Sequence, residues 1–196
     1  MFDFPFKTWP AAVLFLLVLA LAPCPVRAMT VAGVTFAPEV TIGDATLPLR
    51  NAALLRYLVF IKAYVAALYL PVGLAPERAL DDVPKRLEIS YLVAIRGEDF
   101  DKGAAPVLRR NLSSAELGRL QQRLDRLNAA YRDVQPGDRY ALSYHPGLGT
   151  ELSLNGTPLV TIEGADFAVA YFGVWLGREP IDAALKKSLL KGPTAR

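Results

Sequence analysis

With 196 residues, 53% of them hydrophobic, and a net charge of +3, the chain has material for one globular domain with a true core, with or without a targeting segment. Its lysines and arginines are scattered among acidic residues, so no like-charge run tracks a phosphate backbone, and nucleic-acid binding is not expected. One cysteine and one histidine provide neither a disulfide framework nor a set of metal ligands, and no cofactor is expected.

The N-terminus reads as an address. Residues 11–22, "AAVLFLLVLALA", are an unbroken apolar run of 12, the length of a secretory core and short of the ~20 residues that span a bilayer. "PCPVRA" follows, with Val26 and Ala28 as the small residues of a cleavage site. The reading is a signal peptide over residues 1–28, cleaved after Ala28, and a domain over residues 29–196 exported to the periplasm. An uncleaved inner-membrane anchor is the alternative. Lipoprotein processing at Cys24 is disfavoured because Pro23 stands where a small residue is wanted. After cleavage no stable membrane span is expected, and the domain is held by its core alone.

In the mature chain, "TVAGVTFAPEVTIGDATLPL" alternates around Gly43-Asp44 and predicts a β-hairpin. Residues 54–71, "LLRYLVFIKAYVAALYLP", are apolar enough to suggest a membrane helix, but Lys62 near the centre would cost about 2.5–3.5 kcal/mol there. The β-branched and aromatic content favours a buried strand. Period-2 alternation along one strand puts Arg56, Phe60, Lys62, Tyr64, Leu68 and Leu70 on one face, with Ile61, Val65 and Tyr69 on the other. No acid within the strand pairs Arg56, so its partner is a distant carboxylate, a carbonyl, water or an anionic ligand. The alternative leaves Arg56 at the strand mouth in solvent, with Lys62 snorkelling.

Further on, "RLEISYLVAI" places Leu87, Ile89, Tyr91, Val93 and Ile95 on one face of a strand. "NLSSAELGRLQQRLDRLNAAYRDV" is the strongest helix, opened by a Ser113–Glu116 capping box and striped with Leu117, Leu120, Leu124, Leu127 and Tyr131. "RYALSY" alternates again, and Asn155-Gly156 marks a second hairpin. "DFAVAYFGVWLG" is a helix apolar on nearly every side, and "PIDAALKKSLL" is a last one. Phe172 and Trp175 are expected in the core, with the floor of a ligand cavity as the alternative. His145 sits in the turn "YHPGLG", where it cannot anchor a metal alone, and "GLGT" lacks the lysine of a phosphate loop. Strands, helix, hairpin and helices in this order predict an α+β domain with helices on one face of an antiparallel sheet.

"RYLVFIKAYVAALYLP" resembles the chalcone isomerase-like family, in which an arginine precedes a Phe-Lys-Val-Tyr-x-x-x-Leu-Tyr-Leu strand. "PGDRYALSYHPGLGTELSLNG", "IEGADFAVAYFGVWLGREPID" and "ALKKSLL" follow in the family's order, so the likeness covers most of residues 31–190 and is closest to the exported bacterial branch. The resemblance implies an open-faced β-sandwich: a large antiparallel sheet covered by a layer of helices, with a ligand cleft between. Plant members cyclise chalcones to flavanones, whereas others bind fatty acids without catalysis. It also implies Arg56 as the clamp for a ligand's anionic end, Tyr64 in support, and Asn111 as the match for an asparagine of the helical layer. Departures argue against the reaction. Tyr64 replaces a threonine, Asp182 a threonine or serine, and "NAALLR" lacks the usual glycines; "IRGEDFDKGAAP" offers no tyrosine to partner Asn111. The expectation is a non-catalytic binder of a fatty acid or similar amphipathic anion. An intramolecular lyase acting on a phenolic or enone substrate, and a structural or partner-binding module with a self-filled cleft, are the alternatives.

Overall fold

The computed structural model describes residues 28–57 and 61–192. The expected leader and cleavage signal therefore lie outside the described residues, apart from Ala28.

The chain opens with a two-stranded ribbon, β1 (Met29–Val31) and β2 (Val34–Phe36). Seven antiparallel strands then form one sheet in simple sequential order: β3 (Glu39–Ile42), β4 (Ala45–Tyr57), β5 (Ile61–Tyr69), β6 (Lys85–Tyr91), β7 (Arg139–His145), β8 (Gly149–Leu154) and β9 (Thr157–Ile162). Both predicted hairpins are present. Gly43-Asp44 joins β3 to β4, and Asn155-Gly156 joins β8 to β9 with φ of 51° and 82°, the left-handed pair that a tight hairpin needs. The sheet curls enough for β3 to touch β7. The two turns that meet there are joined by His145, whose Nε2 lies 2.9 Å from Asp44 Oδ1 and whose Nδ1 lies 2.8 Å from the Pro146 carbonyl.

Among the described residues four α-helices complete the domain: α1 (Asp99–Asn111), α2 (Ser114–Ala130), α3 (Ala165–Leu176) and α4 (Ala183–Leu190). α2 starts with the expected capping box, Ser113 accepting from the Glu116 amide while the Glu116 carboxylate accepts from the Ser113 amide. α4 is capped by Asp182, which accepts from the Leu185 amide at 2.6 Å. α1 has no counterpart among the sequence expectations. Gly103 and Pro106 inside it depress helix propensity, and packing of Ala104, Val107 and Leu108 holds it in place.

Burial divides the two faces of the sheet. Tyr64, Ala66, Leu68, Leu87, Ile89, Tyr91, Tyr140, Leu142 and Leu152 pack under the helices. Val65, Ala67 and Tyr69 face away and pack with Phe36 of the ribbon. The architecture is the expected α+β open-faced β-sandwich, with the ribbon over part of its far face.

The segment 54–71 is not the single strand that its composition predicts. It is the meeting of β4 and β5, with residues 58–60 between them outside the described residues. Arg56 and Lys62 share a face because they are cross-strand partners. Tyr64 is not on that face. Leu55 pairs with Tyr64 and Arg56 with Lys62, which leaves Ala63 as an extra residue, a β-bulge. Leu55, Ala63 and Tyr64 all pack on the helix side, so the pleat turns Arg56 and Lys62 to the other side.

At the far end of the helix-side face, Lys85 is fully buried. Its ammonium donates to the Asp81 carbonyl at 2.5 Å and lies 5.2 Å and 5.8 Å from the ring centroids of Tyr144 and Phe172. Loss of hydration lowers its pKa from 10.5 to about 8, against the pull of the nearby Asp82 and Asp81 charges.

Candidate functional site

A cavity of ≈ 140 Å³ lies between the sheet and the helix layer. Its floor is built by strand alternation: Tyr64 from β5, Leu87, Ile89 and Tyr91 from β6, Tyr140 and Leu142 from β7, and Leu152 from β8. Phe100 and Ala104 of α1, Tyr131 at the end of α2, and Tyr171, Val174 and Trp175 of α3 form its roof. Gly103 and Ile181 are the exposed lining residues, and Ile95, Asp99 and Phe100 are half-buried; together they mark the mouth.

The lining is aromatic, with polar tips. Phe100 stacks on Tyr131 with centroids 4.5 Å apart, and Tyr91 meets Tyr64, Phe100 and Tyr140 edge-on at 5.9, 5.6 and 6.1 Å. Most phenol oxygens are committed. The Tyr131 and Tyr171 hydroxyls share a hydrogen bond of 2.8 Å, and the Trp175 indole N–H donates to the Tyr64 oxygen at 3.0 Å. Tyr140 accepts from the Arg132 amide at 2.7 Å and donates to the Arg132 carbonyl at 3.1 Å. Tyr91 differs. Only 4% exposed, it has no hydrogen-bond partner for its hydroxyl among the described residues.

Burial pushes the phenols of Tyr64, Tyr91, Tyr131 and Tyr171 well above their ordinary value of 10. The Trp175 hydrogen bond opposes this at Tyr64, and the negative charge of Asp182 adds to it. Among the described residues Asp99 is the one carboxylate in the lining. Lys102 at 2.7 Å, helped by Arg96 at 3.3 Å, lowers its pKa. Among the described residues no group of three or more His, Cys, Asp or Glu is placed to hold a metal ion.

The residues singled out from sequence fall in three places. Tyr64 lines the cavity and accepts from Trp175, so Trp175 serves both as core and as cavity wall. Arg56 is exposed at the end of β4, at the cavity end of the sheet but on the opposite face. Asn111 lies outside the lining, at the end of α1. Its Nδ2 donates to the Val107 and Glu179 carbonyls at 2.9 and 2.8 Å, and its Oδ1 accepts from the Glu179 amide at 2.9 Å. Those bonds use its polar capacity to tie α1 to the segment after α3. Sequence reasoning did not single out Tyr91, Phe100, Tyr131, Tyr140 or Tyr171 as site residues. For Tyr91 the signal existed in the alternation of β6; the others converge only through the packing of α1, α2 and α3.

Comparison with known proteins adds a family and a fold. A family model described as chalcone isomerase-like matches residues 28–191. No curated protein matches the chain. Among solved structures, a fatty-acid binding protein from Arabidopsis thaliana, AtFAP1, superposes with a TM-score of 0.63 at 14% identity, covering 84% of this chain and 96% of that one. At that identity the likeness is one of fold.

Proposed function

The chain belongs to the chalcone isomerase-like family, and from that premise we propose that it is a non-catalytic binding protein for a small amphipathic molecule, whose apolar part enters the cavity under the helices. The observation that carries this reading is an aromatic cavity in which every phenol but that of Tyr91 bonds to the protein itself and all stay protonated. Acid–base catalysis wants a group poised near the working pH. Here burial drives the tyrosines far above it, and the lining carboxylate of Asp99 is tied to Lys102 and Arg96. Such a site suits uptake and release.

A fatty acid or similar amphipathic anion is the narrower form of the proposal, and the fold shared with AtFAP1 supports it. Its carboxylate would stay outside the cavity, near Arg56 and Lys62, because both cations face away from Tyr64. Export to the periplasm by a leader cleaved after Ala28 belongs to the same reading and is supported by the apolar run at residues 11–22.

Native mass spectrometry of gently purified protein, followed by calorimetric titration with graded apolar and amphipathic compounds, tests the proposal. A retained or saturable ligand supports it. An empty protein that no compound saturates would overturn it in favour of a cleft filled by the chain's own side chains, a second reading that the small cavity volume favours. Turnover of an enone faster than its spontaneous cyclisation would restore the lyase.

A further inference from the structure

Resting on the binding role proposed above, we infer that the cavity selects a neutral molecule about the size of one ring, carrying a single hydroxyl or carbonyl oxygen, with Tyr91 as its hydrogen-bond partner.

Size is the first constraint. The cavity's ≈ 140 Å³ is close to the roughly 150 Å³ of an engineered apolar cavity that stays dry and accepts benzene. It falls below the ~300–1,000 Å³ typical of pockets that enclose drug-sized ligands. In this conformation it takes a ring-sized group and not a long acyl chain, so the fatty-acid form of the proposed role requires the helices to part.

Charge is the second. Among the described residues no lysine or arginine lines the cavity. Asp99 at the mouth is already paired with Lys102 and Arg96, and the Asp182 charge acts on Tyr64. A carboxylate placed inside would lose its hydration and find no lining cation to pair with, an arrangement strongly disfavoured in a buried site. Arg56 and Lys62 cannot serve it there, since the bulge at Ala63 turns them to the other face.

The third is the free hydroxyl. Tyr64, Tyr131, Tyr140 and Tyr171 have partners for theirs. Tyr91 is as buried as they are and has none among the described residues. Among the described residues the one side-chain polar atom both fully buried and unpartnered is Thr150 Oγ1, so the Tyr91 oxygen is open to the cavity, where an oxygen on the ligand can take up its hydrogen bond. Burial also keeps the phenol protonated, so it can donate to a carbonyl or alcohol oxygen. The surrounding rings supply edges and faces to a flat or cyclic guest.

The experiment compares five probes by calorimetry and saturation-transfer NMR on the purified protein and its Tyr91→Phe variant: benzene, phenol, cyclohexanone, benzoate and decanoate. Phenol and cyclohexanone should bind the unmodified protein at least about tenfold more tightly than benzoate, and Tyr91→Phe should weaken both by about tenfold. Benzene should bind the two proteins equally, which also reports that the variant is folded. Benzoate matching phenol, decanoate binding most tightly, or phenol binding the variant undiminished would overturn the inference and leave the binding role intact. If none of the five binds, the binding role itself fails. The phenol–benzoate comparison decides the charge argument on the unmodified protein, even if the variant does not fold.

Discussion

Lys85 offers the sharpest test of the packing. Its ammonium is buried with one carbonyl acceptor and two aromatic rings, and its pKa falls from 10.5 in the unfolded chain to about 8 in the fold. Between those values the unfolded chain holds the proton that the folded protein has released, so stability rises with pH. Integrating the two titrations from pH 7.5 to 9.5 gives a gain of about 2 kcal/mol. The range stops short of pH 10 for a reason. The buried tyrosines have raised folded values, so above their unfolded pKa of 10 they make stability fall as pH rises. Lys85→Met keeps most of the volume and removes the charge, so it should be the more stable protein at pH 7.5. Its advantage should shrink by about 2 kcal/mol at pH 9.5. Urea unfolding of both proteins across this range measures the difference directly, and titrations elsewhere in the molecule cancel in the subtraction. Parallel pH profiles for the two proteins would show that Lys85 is solvated or paired in the fold, and would refute the reasoning.

Three further outcomes follow from individual contacts. Tyr64→Phe removes the acceptor of the buried Trp175 indole N–H and should cost about 1–3 kcal/mol in urea unfolding; an unchanged midpoint would mean that the N–H has another partner. Asn111→Ala breaks three hydrogen bonds to backbone and should cost a similar amount, about 1–3 kcal/mol, with faster amide exchange at Glu179; unaltered exchange there would exclude the clasp. Both ring nitrogens of His145 face acceptors, the Asp44 carboxylate and the Pro146 carbonyl, so only the imidazolium donates to both. Its pKa is raised above 6.5, chiefly by the Asp44 hydrogen bond. The contact's contribution is therefore complete below pH 6.5 and lost as pH rises through the folded value. An NMR titration of His145 should show the raised value and its fall in Asp44→Asn; identical curves would refute the pairing.

Much of this fold is readable where local chemistry is self-sufficient. Ser113 and Glu116 satisfy each other's backbone within one turn, and Asn155-Gly156 takes up the left-handed conformation its hairpin needs. Neither depends on distant parts of the chain. The alternation of β6 likewise set Tyr91 on the cavity face. α1 was hidden because Gly103 and Pro106 argue locally against a helix, and only its packing against α3 and α2 decides otherwise. The cavity was still less legible, since its roof joins residues from three helices and its floor residues from four strands. Arg56 and Lys62 show the limit of parity. The rule of two holds along an uninterrupted strand, and here a turn and a bulge intervene.

That bulge sets an unusual mutational distance. No substitution within the ladder turns Arg56 and Lys62 toward the cavity, because pleating rather than side-chain identity aims them. One codon inserted between those for Leu55 and Arg56 would do so. The new residue would stand opposite Ala63, complete the ladder between Leu55–Tyr64 and Arg56–Lys62, and swing both cations to the helix side. The face that carries the cavity would acquire two positive charges beside Tyr64 in a single genetic event, and benzoate should gain on phenol as a guest.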